Sequence, residues 1–544
     1  MKRNAILLVG VISIIAFAVG TVAAQPFMAD DQHHEDLTTN QLGTVHFPVS
    51  CAASVQKPFE RGVALLHSFW YEEAEKQFEQ IAKDDPQCAM AHWGVAMSIW
   101  HQLWNHPDDA TIKKGAAEVK QAESLHAKSG RERAYIAAMA AFYSGHGKPE
   151  YHARANAYSK AMEAIYKRYP SDREGAAFYA LSLLASEPDD DTTFANRKQA
   201  AAILEKLFAV EPNHPGVAHY LIHSYDKPQL AELGLPAARR YAQIAPDAPH
   251  ALHMPSHIFA RLGLWQDDID SNLASIAATR KTAAMHMGGE GHQYHAMDFL
   301  VYAYLQTGRE ADAQHVIDEV KAMPAMHDMY GLGFDPRIWA LVAFPAKYDI
   351  ELHHWADAAA LAPVPGADPG DNSITYWARA IGSARSGNPA QARKDAAEIQ
   401  AIHQELIKEK KKSFAEAAQQ DHEEAVAWAD HAEGKNEDAL AALRKIAEKE
   451  EAEGEEPEGI PAREMLGDML MEMNRPEQAL AEYEADLKFN PNRFDGLYGA
   501  AHAAETSGKN DKANAYYAEL VKVCAGSSSD RPELSRAKAL LAKK

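Results

Sequence analysis

Two pairs of histidines carry the chemistry in this sequence: His219 and His223 in HPGVAHYLIHSYD, and His253 and His257 in APHALHMPSHIFARLG. Imidazoles four residues apart on a helix project from one face and can share a metal ion. The pairs occupy equivalent places, because Pro212, His219 and His223 recur at Pro246, His253 and His257 with a constant offset of 34 residues. Asp226 lies one turn beyond His223, and His250 and His295 lie one turn before their stripes. Ligation by nitrogen, or by nitrogen with a carboxylate oxygen, leaves zinc, copper, iron, nickel and manganese open.

The elements that must position these side chains follow from the same offset, which is the period of the tetratricopeptide helix-turn-helix repeat. Near the C-terminus Leu466 and Gly467 precede Ala479, Tyr483 and Pro491, and Ala513 with Tyr517 follow one period after Ala479 and Tyr483. Ala74, Phe78 and Pro86 keep the same spacing near the other end. Small residues let two helices cross closely, the aromatic fills the space beside them, and proline stops the second helix. Gly308 with Ala313, Gly387 with Ala392, Gly434 with Ala439 and Gly508 with Ala513 repeat the turn. The chain reads as an all-α helical-repeat solenoid from about residue 55 onward, with nine to eleven units expected. No run of alternating β-branched residues argues for a sheet.

Aligned through their turn glycines, three consecutive units present His219 with His223, His253 with His257, and Asp298 with Tyr302 on their first helices. In such solenoids those helices line the concave groove. The expected ligand set is therefore His219, His223, His253, His257, His295 and Asp298, with Asp226 and Tyr302 as supporting partners. Pro255 stands between His253 and His257, so that helix either starts there or bends there. The next unit is longer, and the added residues include MHMGGEGHQYH, where His286 or His292 could join the ligands or simply belong to a connection. The plain alternative is that the histidines bond to one another and to Tyr220, Tyr225 and Tyr302 in a packed scaffold that binds a peptide or protein in its groove. Trp93, Trp100, Trp104, His101 and His106 read as core between early helices.

Charge and termini bound the rest. A net charge of −22 over 544 residues argues against nucleic acid as partner. Part of that excess, between Glu448 and Glu458, reads as a solvated loop between repeats. Lys2 and Arg3 precede an apolar stretch from Ala5 to Val19, and Val22-Ala23-Ala24 offers a cleavage site before Gln25. This reads as a signal peptide over residues 1–24 and a periplasmic or extracellular protein, membrane-attached only if that segment is kept. Residues 25–54 form an extension, 55–320 the repeats with the histidine-rich groove, and 321–544 further repeats. Three cysteines allow one internal bridge, and Cys51 with Cys88 would tie the extension onto the first repeats, leaving Cys524 over.

LLHSFWYEEAEKQFEQIAKDDPQCAMAHWG, HPGVAHYLIHSYD and HALHMPSHIFARLGLWQ together resemble a group of exported bacterial tetratricopeptide-repeat proteins. The resemblance covers most of residues 50 to 320. It implies a helical-repeat fold and export, and it implies no reaction. Metalloprotease, nucleophile-elbow, phosphate-loop and dinucleotide motifs are missing from the sequence, so an enzyme here would have to be metal-dependent.

Overall fold

The computed structural model describes residues 39–103, 107–143, 150–188, 191–285, 287, 291–325, 335–454 and 458–542. The expected signal segment and its cleavage site lie outside them. Among the described residues no helix is long and apolar enough to cross a membrane, and there is no strand. The fold is a tetratricopeptide-like solenoid of helix pairs. Among the described residues the helices form twelve such pairs, against the nine to eleven expected. The excess arises in irregular units such as Pro336–Glu351 with Trp355–Ala360, whose short second helix departs from the repeat pattern.

The repeat's spacing has a direct physical cause. A Cβ added at Gly467 or Gly499 would come within 2.7 or 2.4 Å of the Tyr483 ring, so the glycines on two first helices make room for the aromatic of the helix packed between them. Gly308 takes the left-handed conformation, φ +67°, at the turn after helix His292–Gln306. Ala313 is then fully buried at the following crossing.

Late repeats also bond to the histidine-bearing ones. The Trp265 indole donates to the Asn492 carbonyl at 2.8 Å, and Asn492 Nδ2 donates to the Gly263 carbonyl at 3.2 Å. Arg493, fully buried, pairs with Glu464 at 2.7 Å and Glu351 at 2.9 Å and donates to Tyr302. The described part of the acidic stretch expected to be a solvated loop ends helix Asn436–Glu453; Glu448 and Glu453 are exposed, and backbone carbonyls there bond to an earlier repeat. Lys227 Nζ donates to the carbonyls of Glu453 at 2.6 Å and Gly454 at 3.1 Å, and Gln229 donates to that of Glu451 at 2.6 Å. At the other end Cys51 and Cys88 form a disulfide, Cα–Cα 4.9 Å, and Cys524 is a buried free thiol. Trp93 and Trp100 are buried in the early core, while Trp104 and His106 lie outside the described residues.

Candidate metal centre

Three successive first helices build the site: Pro215–Tyr225, then Pro249–His253 continuing as Pro255–Arg261, then His292–Gln306. They lie side by side in the stack. The first starts on a strong signal, with Pro215 in its opening turn and His214 Nδ1 accepting the Val217 N–H. Pro255 interrupts the second without turning it aside. Met254 keeps right-handed helical angles, φ −52° and ψ −32°, and the His257 N–H reaches the Met254 carbonyl, so both histidines stay on one face.

The four paired histidines do not converge on a single point, as the sequence had suggested. Each pair is completed by one histidine from the next unit. His219, His223 and His250 form one group, and His253, His257 and His295 a second, with a ring nitrogen from each member within 4.8 Å of the others in its group. In the first group Nε2 of His219 lies 3.1 Å from Nε2 of both His223 and His250. In the second, Nε2 of His253 and Nε2 of His257 are 3.1 Å apart. Nitrogens bound to one tetrahedral ion at about 2.0–2.1 Å lie about 3.3 Å from each other, which matches this spacing.

Proton accounting makes these short contacts informative. His219 Nδ1–H donates to the His67 carbonyl at 2.6 Å, and a carbonyl can only accept. His257 Nδ1–H donates to Asp226 at 2.8 Å, and Arg261 holds the other carboxylate oxygen at 2.7 Å. Asn272 spends its amide N–H on the Asp268 carbonyl, leaving Oδ1 to accept from His253 Nδ1–H at 2.7 Å. As neutral rings, His219, His253 and His257 therefore present a lone pair at Nε2. The His253–His257 contact therefore needs a positive charge between its two Nε2 lone pairs, a metal ion or one shared proton.

Burial keeps protons off five of these rings. Burial pushes His219 and His295 down to about 3, from an ordinary value of 6.5. Burial first, then neighbouring imidazoles, hold His223, His250 and His253 well below that value. Burial opposes the charge on Asp226, but Arg261 and His257 outweigh it and keep the carboxyl ionised. Converging neutral imidazoles with an anion behind one of them suit a cation.

A third cluster shows the contrasting case. His67 Nε2 lies 2.8 Å and His214 Nε2 3.0 Å from the two oxygens of Glu174. Their remaining nitrogens are also occupied, since Tyr220 donates to His67 Nδ1 and Val217 N–H to His214 Nδ1. This cluster is satisfied by protons alone. It props the site, because the His67 carbonyl is what orients His219.

Two expected residues go elsewhere. Asp298 accepts from Lys347 at 2.6 Å and belongs to neither histidine group. Tyr302 donates to the Gly459 carbonyl at 3.1 Å and accepts from Arg493, so it supports the docking of late repeats rather than the histidines. His292 begins its helix and is buried with its ring centroid 5.2 Å from that of His250, while His286 lies outside the described residues. His250 was the omission from the expected set. It stands before Gly263 as His295 stands before Gly308, at an equal distance, and that equivalence was the available signal.

His223 and His250 of the first group and His257 and His295 of the second line one cavity of about 680 Å³. A larger cavity, about 1450 Å³, lies around Gly263, Arg309 and Arg531, away from both groups.

No protein-family model matches the chain, and no curated protein sequence matches it. Among solved structures it is similar to the human IFIT1 dimer with m7Gppp-AAAA, at 14% identity and TM-score 0.34, over 85% of this chain and 95% of that one. The human IFIT1 dimer with PPP-AAAA stands at 14% identity and TM-score 0.35, with the same coverage of both chains.

Proposed function

We propose that this is an exported, periplasmic or extracellular repeat protein of the bacterial group it resembles, and that its histidine groups bind a transition metal. One observation carries the metal reading: the 3.1 Å approach of His253 Nε2 to His257 Nε2, with both Nδ1–H groups already donated to Asn272 and Asp226. Two lone pairs at that distance repel unless a metal ion or a shared proton lies between them; burial disfavours the proton on His253, and the third imidazole, His295, in the same group favours the ion. Three histidines per group leave an ion with an open coordination position, the arrangement of sites that exchange or activate ligands rather than purely structural ones.

The test is the element content of the native protein, isolated from its export compartment without a metal-binding tag. Bound transition metal lost in His219→Ala and His253→Ala supports the reading. Metal-free native protein that also takes up none of the candidate ions would leave a scaffold for a peptide or protein partner.

A further inference from the structure

We propose that the two histidine groups form one dinuclear copper centre, which takes dioxygen between its ions on the side facing the shared cavity. This rests on the metal reading above and adds the number of ions, their identity and the ligand.

Three observations support a pair. The two groups are built alike, each from a histidine pair on one first helix and a single histidine from the next. They also abut. The His250 and His253 ring centroids are 6.1 Å apart and those of His223 and His257 6.5 Å, against 4.5 to 6.4 Å for ring pairs within a group. Ions held about 2 Å from such nitrogens come within reach of one bridging ligand. Finally, two histidines from each group line the same cavity, so the open position of each ion faces a common space.

The donor set favours copper. Dinuclear iron and manganese sites recruit carboxylates from the surrounding helices, whereas Asp298 is held by Lys347 and Asp226 acts through His257. Imidazole suits zinc and copper alike. Charge separates them: two adjacent zinc ions would place four positive charges against the single carboxylate, Asp226, bonded to a ligand, whereas two cuprous ions place two. The desolvation cost of a buried charge makes the lower total easier to hold. Reaction with dioxygen then balances without another reagent. Each Cu(I) gives one electron, dioxygen takes both and is bound as peroxide between two Cu(II) ions. The O–O bond is kept, copper–oxygen bonds form, and no proton moves.

The experiment loads the full chain with Cu(I) without oxygen, counts copper, then admits dioxygen. Expected are two coppers per chain, one dioxygen consumed per pair, and an oxidised form silent in electron paramagnetic resonance because the spins couple. His250→Gln and His295→Gln, with thermal melts to check folding, should each retain one copper and give an isolated-copper signal. Zero copper, with no other ion bound, removes the metal reading altogether. One copper per chain, two coppers with full uncoupled signals, or a preference for zinc leaves that reading standing and overturns the dinuclear copper centre.

Discussion

His257 Nδ1 and Asp226 Oδ2 are 2.8 Å apart across two consecutive repeats, and that bond decides which nitrogen of His257 faces His253. Without the carboxylate, the proton could move to Nε2 and close the second group to an ion. Asp226→Asn should weaken metal binding by the second group about 10- to 100-fold, the usual cost of losing a partner behind a histidine ligand. Chelator competition on the variant checks this. Equal affinity in wild type and variant would show that the bond does not set the tautomer.

Acid stability of the metal-free chain should follow the histidines. In the folded protein burial pushes His219, His292 and His295 down to about 3, whereas in the unfolded chain they titrate near 6.5. Between those values the unfolded state binds more protons, so their contribution is complete above about pH 6.5 and is lost as pH falls toward 3. Melting temperature in the presence of chelator should therefore begin to fall below about pH 6.5, well before carboxylates such as Asp226 protonate. A melting temperature unchanged down to pH 4.5 would contradict this.

Gly216→Ala tests the prop beneath His219. Glycine to alanine inside a helix normally stabilises by about 0.5–1 kcal/mol. Here the added Cβ would come within 2.3 Å of His67 Nδ1, in a fully buried seam. A net loss of about 1–3 kcal/mol is expected from overpacking, together with weaker metal binding as the His67 carbonyl shifts away from His219. A higher melting temperature in the variant would refute the account.

Arg493→Met should destabilise the protein by about 3–5 kcal/mol, because Glu351 and Glu464 would be left buried without their cation. Adding Glu464→Gln should recover part of the loss by removing one orphaned charge. Thermal unfolding of the single and double variants makes the comparison; a double variant no better than the single would argue against the charge explanation.

The 34-residue period made the helical stack and the matched histidine pairs legible, since both rest on spacing within neighbouring units. Local pattern stops short of contacts between distant units. Asp298 aligns correctly with the histidines, yet Lys347 of a later helix captures it. Tyr302 is drawn to Arg493, 191 residues further on. No period links such positions, and their bonds depend on how the accumulated turn of the stack brings repeats together. The completion of each pair by the next unit was within reach of alignment, because His250 and His295 hold equivalent places before their turn glycines.

The bonds from Lys227 to Glu453 and Gly454 set an order of events during folding. They join positions 226 and 227 residues apart, so the histidine helices are synthesised and can stack long before the segment that docks beside them exists. Contacts of that separation close late, after local helix pairing. A chain folding as it emerges would pass through a stage in which the imidazoles are grouped while the wall of their cavity at Glu453 is missing. On the proposed metal reading, an ion would enter then without displacing any finished structure, and closure of the wall afterwards would slow its escape.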